Sequence, residues 1–151
     1  MLSVKLAQSS SMGQPLWWRE GKIFHVLFYI TATNVDSPGN ANPYVAGGDT
    51  LDLTQLFNTA SSAPGMLLPT FEEVADVRIK SARPVGAANN GNLFVYEYAP
   101  NPTAASPLAA GTMQVFTGAA AQTGLTELTP GNYPAGVLND TILAEALFVM
   151  P

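Results

Sequence analysis

No window of about eleven residues in this chain repeats apolar positions at helical spacing without a glycine, a proline or a β-branched run inside it. That removes helical bundles and alternating α/β architectures and leaves sheet. Strand signals fill the gap. Asp76 to Ser81 alternates cleanly, with Val77 and Ile79 on one face and Asp76, Arg78 and Lys80 on the other. Lys22 to Thr33 is apolar on both faces, as a central strand covered on each side requires. Thr50 to Thr54 reads as an alternating strand with an acidic outer face, and Ser3 to Ala7, Asn92 to Tyr98 and Thr112 to Thr117 are further candidates. Thr141 to Met150 has the Leu, Ala and Glu of a helix, but Ile142, Ala144, Ala146 and Phe148 alternate and it is read as a strand. One helical turn is expected at Pro69 to Asp76, where Thr70 caps and Glu73 returns the bond.

Between these segments stand turn clusters: Ser37-Pro38-Gly39-Asn40, Ala46-Gly47-Gly48-Asp49, Gly86 to Gly91, and Pro130-Gly131-Asn132-Tyr133-Pro134. Glycine supplies positive φ there and proline presets the turn. A chain of 151 residues divided in this way predicts one all-β domain, a jelly-roll-like sandwich or barrel of about eight strands. Connections around 34–48 and 58–70 exceed a tight hairpin, which favours Greek-key or jelly-roll crossings. Residues 21–151 are assigned to the sandwich and residues 1–20 to an extended N-terminal arm. The Ala-rich stretches 103–110 and 118–122 are read as loops.

Charge narrows the function. Six Lys and Arg against eleven Asp and Glu give a net charge of −5, which offers no footprint for nucleic acid. Charged residues make up 11% of the chain, well below the usual ~25%. With no cysteine and a single histidine, thiolate sites and multi-histidine metal sites are excluded within one chain. The longest apolar run, Phe24 to Ile30, is interrupted by His25 and falls far short of the ~20 residues of a spanning helix, so no membrane partner is expected. The opening residues lack the basic and apolar stretches of a signal peptide, so the expectation is a chain used without secretion machinery.

No constellation for catalysis emerges. His25, inside an apolar strand, reads as a buried or edge-paired histidine rather than a base. Nucleophile elbows, phosphate loops and dinucleotide fingerprints do not occur. Glu72, Glu73 and Asp76 form one carboxylate group and Asp49 with Asp52 another; such pairs can hydrolyse glycosides or hold calcium, but turn and strand-opening roles suit them better. No catalytic, cofactor or metal residue is assigned, and a non-enzyme is expected. Trp17 and Trp18 are adjacent, so on a strand they point to opposite faces and at most one enters a given core. The other caps the core or anchors a neighbour. Phe94, Tyr96 and Tyr98 share a face that is core, or a contact surface if it lies outward. The candidate interface residues are Leu16, Trp17, Trp18, Tyr96, Tyr98 and Tyr133.

Ala46-Gly47-Gly48-Asp49-Thr50-Leu51-Asp52-Leu53, Leu128-Thr129-Pro130-Gly131-Asn132-Tyr133-Pro134 and the terminal Ala146-Leu147-Phe148-Val149-Met150-Pro151 together resemble small virion proteins of tailed bacteriophages, specifically capsid decoration (cement, head auxiliary) proteins. The resemblance implies a β-sandwich or jelly-roll subunit, made in the host cytoplasm, that trimerises on the outer capsid surface and bridges capsomers of the major capsid protein. It carries over no catalytic residue. Independently, a cement protein needs a rigid scaffold and a charge-poor contact surface, and interface cores are depleted of charge and enriched in aromatics. Three other readings stand beside it: a phage tail, adaptor or baseplate subunit; a carbohydrate-binding jelly roll using Trp17 or Trp18 and the Tyr96/Tyr98 face; and a β-sandwich hydrolase gathering Glu72, Glu73 or Asp49.

Overall fold

The computed structural model describes residues 1–7, 16–35, 39, 41–56, 73–84, 94–117 and 124–149. Its elements in chain order are β1 (Leu2–Leu6), β2 (Trp17–Glu20), β3 (Ile23–Ala32), β4 (Asp49–Thr50), a 3-10 turn (Leu53–Leu56), β5 (Glu73–Pro84), β6 (Phe94–Ala99), α1 (Pro107–Ala110), β7 (Thr112–Thr117), β8 (Thr126–Glu127), α2 (Ala135–Leu138) and β9 (Asp140–Val149). All strand pairs are antiparallel and fall into two sheets. The larger runs β1-β3-β9-β5, with β2 also on β3; the smaller runs β4-β7-β6, with β8 also on β7. The chain passes repeatedly from one sheet to the other, so the protein is an all-β sandwich.

The two longest apolar segments meet at its centre. β3 and β9 pair from Ile23 opposite Val149 to Ile30 opposite Ile142. Their even-numbered residues form the inner face: Phe24, Val26, Phe28 and Ile30 on β3, and Ile142, Ala144, Ala146 and Phe148 on β9 are all buried. Bulk is matched with smallness across the ladder, since Phe28 opposes Ala144 and Val26 opposes Ala146. This leaves room for Met113, Val115 and Tyr96 of the smaller sheet to close the core. Each large apolar side chain so buried contributes about 1.5–3 kcal/mol.

The N-terminal region is part of this sheet. β1 pairs with the second half of β3 and β2 with the first, so the two share one edge. At the junction the Ala7 N–H donates to the Leu27 carbonyl and the Leu27 N–H to the Leu16 carbonyl, both at 2.9 Å. The expected arm over 1–20 is thus, where described, a pair of edge strands, because Leu2, Val4 and Leu6 alternate and bury their side chains. Gly21 (φ +59°) and Lys22 form the tight turn that joins β2 to β3.

Two further expectations are corrected. Thr50 to Thr54 does not continue as a strand. The Asp52 carboxylate accepts from the Thr54 N–H (2.9 Å), which turns the chain into the 3-10 segment and still buries Leu51 and Leu53. The helical turn expected up to Asp76 is strand from Glu73 onward, because the outer edge of β9 takes up that segment: Val74 opposes Phe148 and Asp76 opposes Leu147, with an irregularity between them. The rest of that turn, the stretch 118–122 and the 85–93 connection lie outside the described residues. Within the Ala-rich 103–110 stretch, Pro107–Ala110 is a single helical turn.

Gly48 has φ +94°, and a Cβ there would lie 2.7 Å from the Met113 carbonyl oxygen, whereas Gly21 has open space around it. Gly48→Ala is expected to cost about 2 kcal/mol or more and Gly21→Ala about 1 kcal/mol, measured as shifts in the chemical denaturation midpoint at unchanged slope.

Candidate functional site

The outer face of the larger sheet carries the odd-numbered residues of β3 and β9. His25 and Glu145 both fall there, on a diagonal two residues apart along the ladder, since His25 opposes Leu147 and Leu27 opposes Glu145, and both are buried. The His25 Nδ1–H donates to Glu145 Oε1 at 2.6 Å, so the carboxylate fixes the tautomer. Glu145 Oε2 is ion-paired with Lys80 Nζ, which reaches across from a register irregularity in β5 between Ile79 and Ser81. On the other side of the imidazole, Nε2 faces Glu20 Oε2 of β2 at 3.8 Å. Burial alone would raise the Glu145 carboxyl pKa, but Lys80 and His25 outweigh it and hold the carboxyl below its ordinary value.

Trp18 closes this cluster from above. It sits opposite His25 in the β2–β3 register, and the two rings stack with centroids 4.6 Å apart and planes 12° apart. Trp17 points to the opposite face and stacks on Phe24 at 4.8 Å. Both tryptophans nevertheless remain open, Trp17 46% and Trp18 39% exposed, and Leu16 beside them is also exposed. The β2 edge is therefore an aromatic strip braced from behind by a buried ion cluster. As chemistry, the His25–Glu145 pair has the geometry of an oriented base. Its outward nitrogen, however, faces a carboxylate and its ring lies under an indole, and among the described residues no hydroxyl is hydrogen-bonded to it.

A second polar group pins the loops at one end of the sandwich. Tyr133 donates to Asp49 Oδ2 (2.7 Å), Tyr44 donates to Glu127 Oε1 (2.7 Å), and Tyr96 donates to Asp140 Oδ2. Glu127 Oε1 also accepts the Gly47 N–H at 2.7 Å. Asp49 Oδ2 lies 3.1 Å from the amino group of Met1. Asn34 bonds the backbone of Tyr133 in both directions, accepting at 2.6 Å and donating at 3.2 Å. Burial first, then the nearby carboxylates of Glu127 and Asp49, push the Tyr44 hydroxyl up to about 12 against the opposing Val115 N–H. Burial and the Asp140 and Asp49 carboxylates raise Tyr96 and Tyr133 further, and Tyr98 is raised by burial and by Asp76.

Of the six candidate interface residues, the structure brings Leu16, Trp17 and Trp18 together on the β2 edge. Tyr96 and Tyr133 are buried and leave the contact surface, because their hydroxyls satisfy carboxylates inside the fold. Tyr98 is half-buried over Gly111, where any Cβ would meet its ring. The carboxylate pairs also separate: Asp76 pairs with Arg78 at the surface, Asp49 is buried, and Asp52 caps the 3-10 turn. Among the described residues no group of three or more His, Asp or Glu could hold a metal ion. Sequence reasoning missed Glu145 and Lys80 as partners of His25.

Removing the carboxylate in Glu145→Gln is expected to cost about 2 kcal/mol. The lowered carboxyl contributes stability that is present above the ordinary value of about 4.3 and lost as pH falls through its own. Acid titration of stability should therefore be shallower in Glu145→Gln than in the parent. At the alkaline end the signs reverse. The raised hydroxyls of Tyr44, Tyr96, Tyr98 and Tyr133 contribute stability that is complete below their ordinary value of 10.0 and lost as pH climbs through the raised ones. Tyrosinate absorbance from these residues is expected to emerge above that value, together with unfolding. Comparison with family models, with curated proteins and with solved structures finds no match to this chain.

Proposed function

We propose that this chain is a non-enzymatic structural protein of a bacteriophage virion, which binds the outer surface of the head beside the major capsid protein and bridges neighbouring capsomers as a homotrimer. The observation that carries the reading is the exposure of Leu16, Trp17 and Trp18 along one edge of a sandwich with 11% charged residues. Water-exposed tryptophans held on rigid strands are anchors of the type that dominate binding energy when a partner covers them. Burial of Asp49, Asp140 and Glu145 draws charge inside and leaves the surface poorer still in ionised groups. Such a surface forms close contacts with little desolvation penalty. Closed three-fold symmetry would suit the three-fold positions of an icosahedral lattice and limit runaway assembly.

A glycan-binding reading draws on one observation, the half-open Trp18 ring lying flat on His25 with Glu20 beside it. Such a ring is a stacking platform for the apolar face of a sugar.

The deciding experiment mixes the purified protein with expanded heads that lack it. Co-sedimentation and a raised temperature of head disruption are expected, with both effects weakened in Trp17→Ala and Trp18→Ala. Absence of binding and of protection would remove the proposal, and saturable quenching of tryptophan fluorescence by oligosaccharides would put the glycan reading in its place.

A further inference from the structure

We propose that the β2 edges of two copies of this chain pair with each other, antiparallel about a two-fold axis at Trp18, and join two larger sheets into one. The inference rests on this chain alone and holds with or without a capsid as partner.

Strand geometry decides which groups are available. The Leu27 N–H donates to the Leu16 carbonyl, so Leu16 turns that carbonyl toward β3, in step with the two-residue turn that sets Glu20 opposite Ile23. Bonded pairs recur every second residue, so Trp18 and Glu20 also turn their backbone groups inward to β3. The backbone N–H and C=O of Trp17 and Arg19 therefore point away from the sheet. Among the described residues no strand pairs along that side, and all four β2 residues are exposed. An exposed hydrophobic edge of this kind is a template for another strand.

The sequence of β2 selects the occupant and the register. An axis through Trp18 sets Trp17 opposite Arg19 of the second copy on one face, twice over, and each such pair exchanges both backbone bonds. A guanidinium opposite an indole is the favourable cation–π combination. On the other face Trp18 meets its own symmetry mate at the close, non-bonded position, where aromatic cross-strand pairs are strongest. Each indole there is already backed by His25, which limits its freedom before pairing. Competing axes fail: one through Arg19 opposes two guanidinium groups, and one through Trp17 leaves Arg19 and Glu20 without partners on β2. The contact is isologous, so it closes a pair and can equally link one ring of subunits to the next.

Backbone amide exchange of the unaltered chain, followed residue by residue across a dilution series, tests the pairing. The Trp17 and Arg19 amides are expected to become protected as concentration rises. Fast exchange at both amides at the highest concentration overturns the proposal. The register is read by single-cysteine variants, unambiguous here because the chain has no cysteine of its own. Trp18→Cys is expected to form an intermolecular disulfide roughly tenfold faster than Trp17→Cys or Arg19→Cys, because only the residue on the axis meets its own copy within disulfide reach. Protection accompanied by equal crosslinking at all three positions overturns the Trp18 axis and the proposal with it. If Trp18→Cys does not fold, the exchange measurement decides.

Discussion

The ladder between β3 and β9 organises everything around it. Each strand lines the core with its even-numbered residues and is paired along both of its edges. β1 and β2 supply the outer edge of β3, and β5 supplies that of β9. The register of this one pair places alanines against Phe28 and Val26 on the inside, and on the outside sets His25 and Glu145 within hydrogen-bonding distance. A slip of one residue would turn Glu145 into the core and bring the aromatics out. The cluster therefore acts as a register pin as well as a brace, since this alignment lets Glu145 meet both His25 and Lys80.

Scarcity of charge acquires a structural explanation in the same way. The buried carboxylates Asp49, Asp140 and Glu145 each have a tyrosine, histidine or lysine partner held by a different strand or loop. Loops rich in glycine and proline carry few apolar groups of their own, and polar clasps from Tyr44 and Tyr133 tie them to the sheets where hydrophobic packing is thin. Among the described residues, the large apolar side chains left exposed include the adjacent Trp17 and Trp18.

Much of the framework was legible in the sequence. Alternation marked β5 and β9, a run apolar on both faces marked β3, and β1, β6 and β7 stood as further strand candidates, because a half-buried strand writes a period of two into its residues and a fully buried one an apolar run. The two-residue strands β4 and β8 and the short β2 carry too few positions to show any period, and the Gly21 turn looks like one glycine among many. The run from Thr50 to Thr54 alternates and yet turns, since a local Asp52 bond outcompetes the ladder. For the site, adjacency of Trp17 and Trp18 did reveal that one must leave the core. Partnership of His25 with Glu145 was in principle readable too: each is a lone ionisable residue in the middle of an apolar strand, and such groups enter a sheet only in company. Their meeting depends on a pairing between distant segments, and no local pattern states which strands will be neighbours. Lys80 joins them through a break in strand regularity, which leaves no mark in composition.

One detail at the junction of β1 and β2 reaches beyond packing. The Leu16 N–H donates to the Ala7 carbonyl at 2.9 Å, so the end of β1 and the start of β2 are tied to each other as well as to β3. Ala7 and Leu16 thereby hold β1 and β2 along one edge of β3, so that a shift in the register of either strand strains the other.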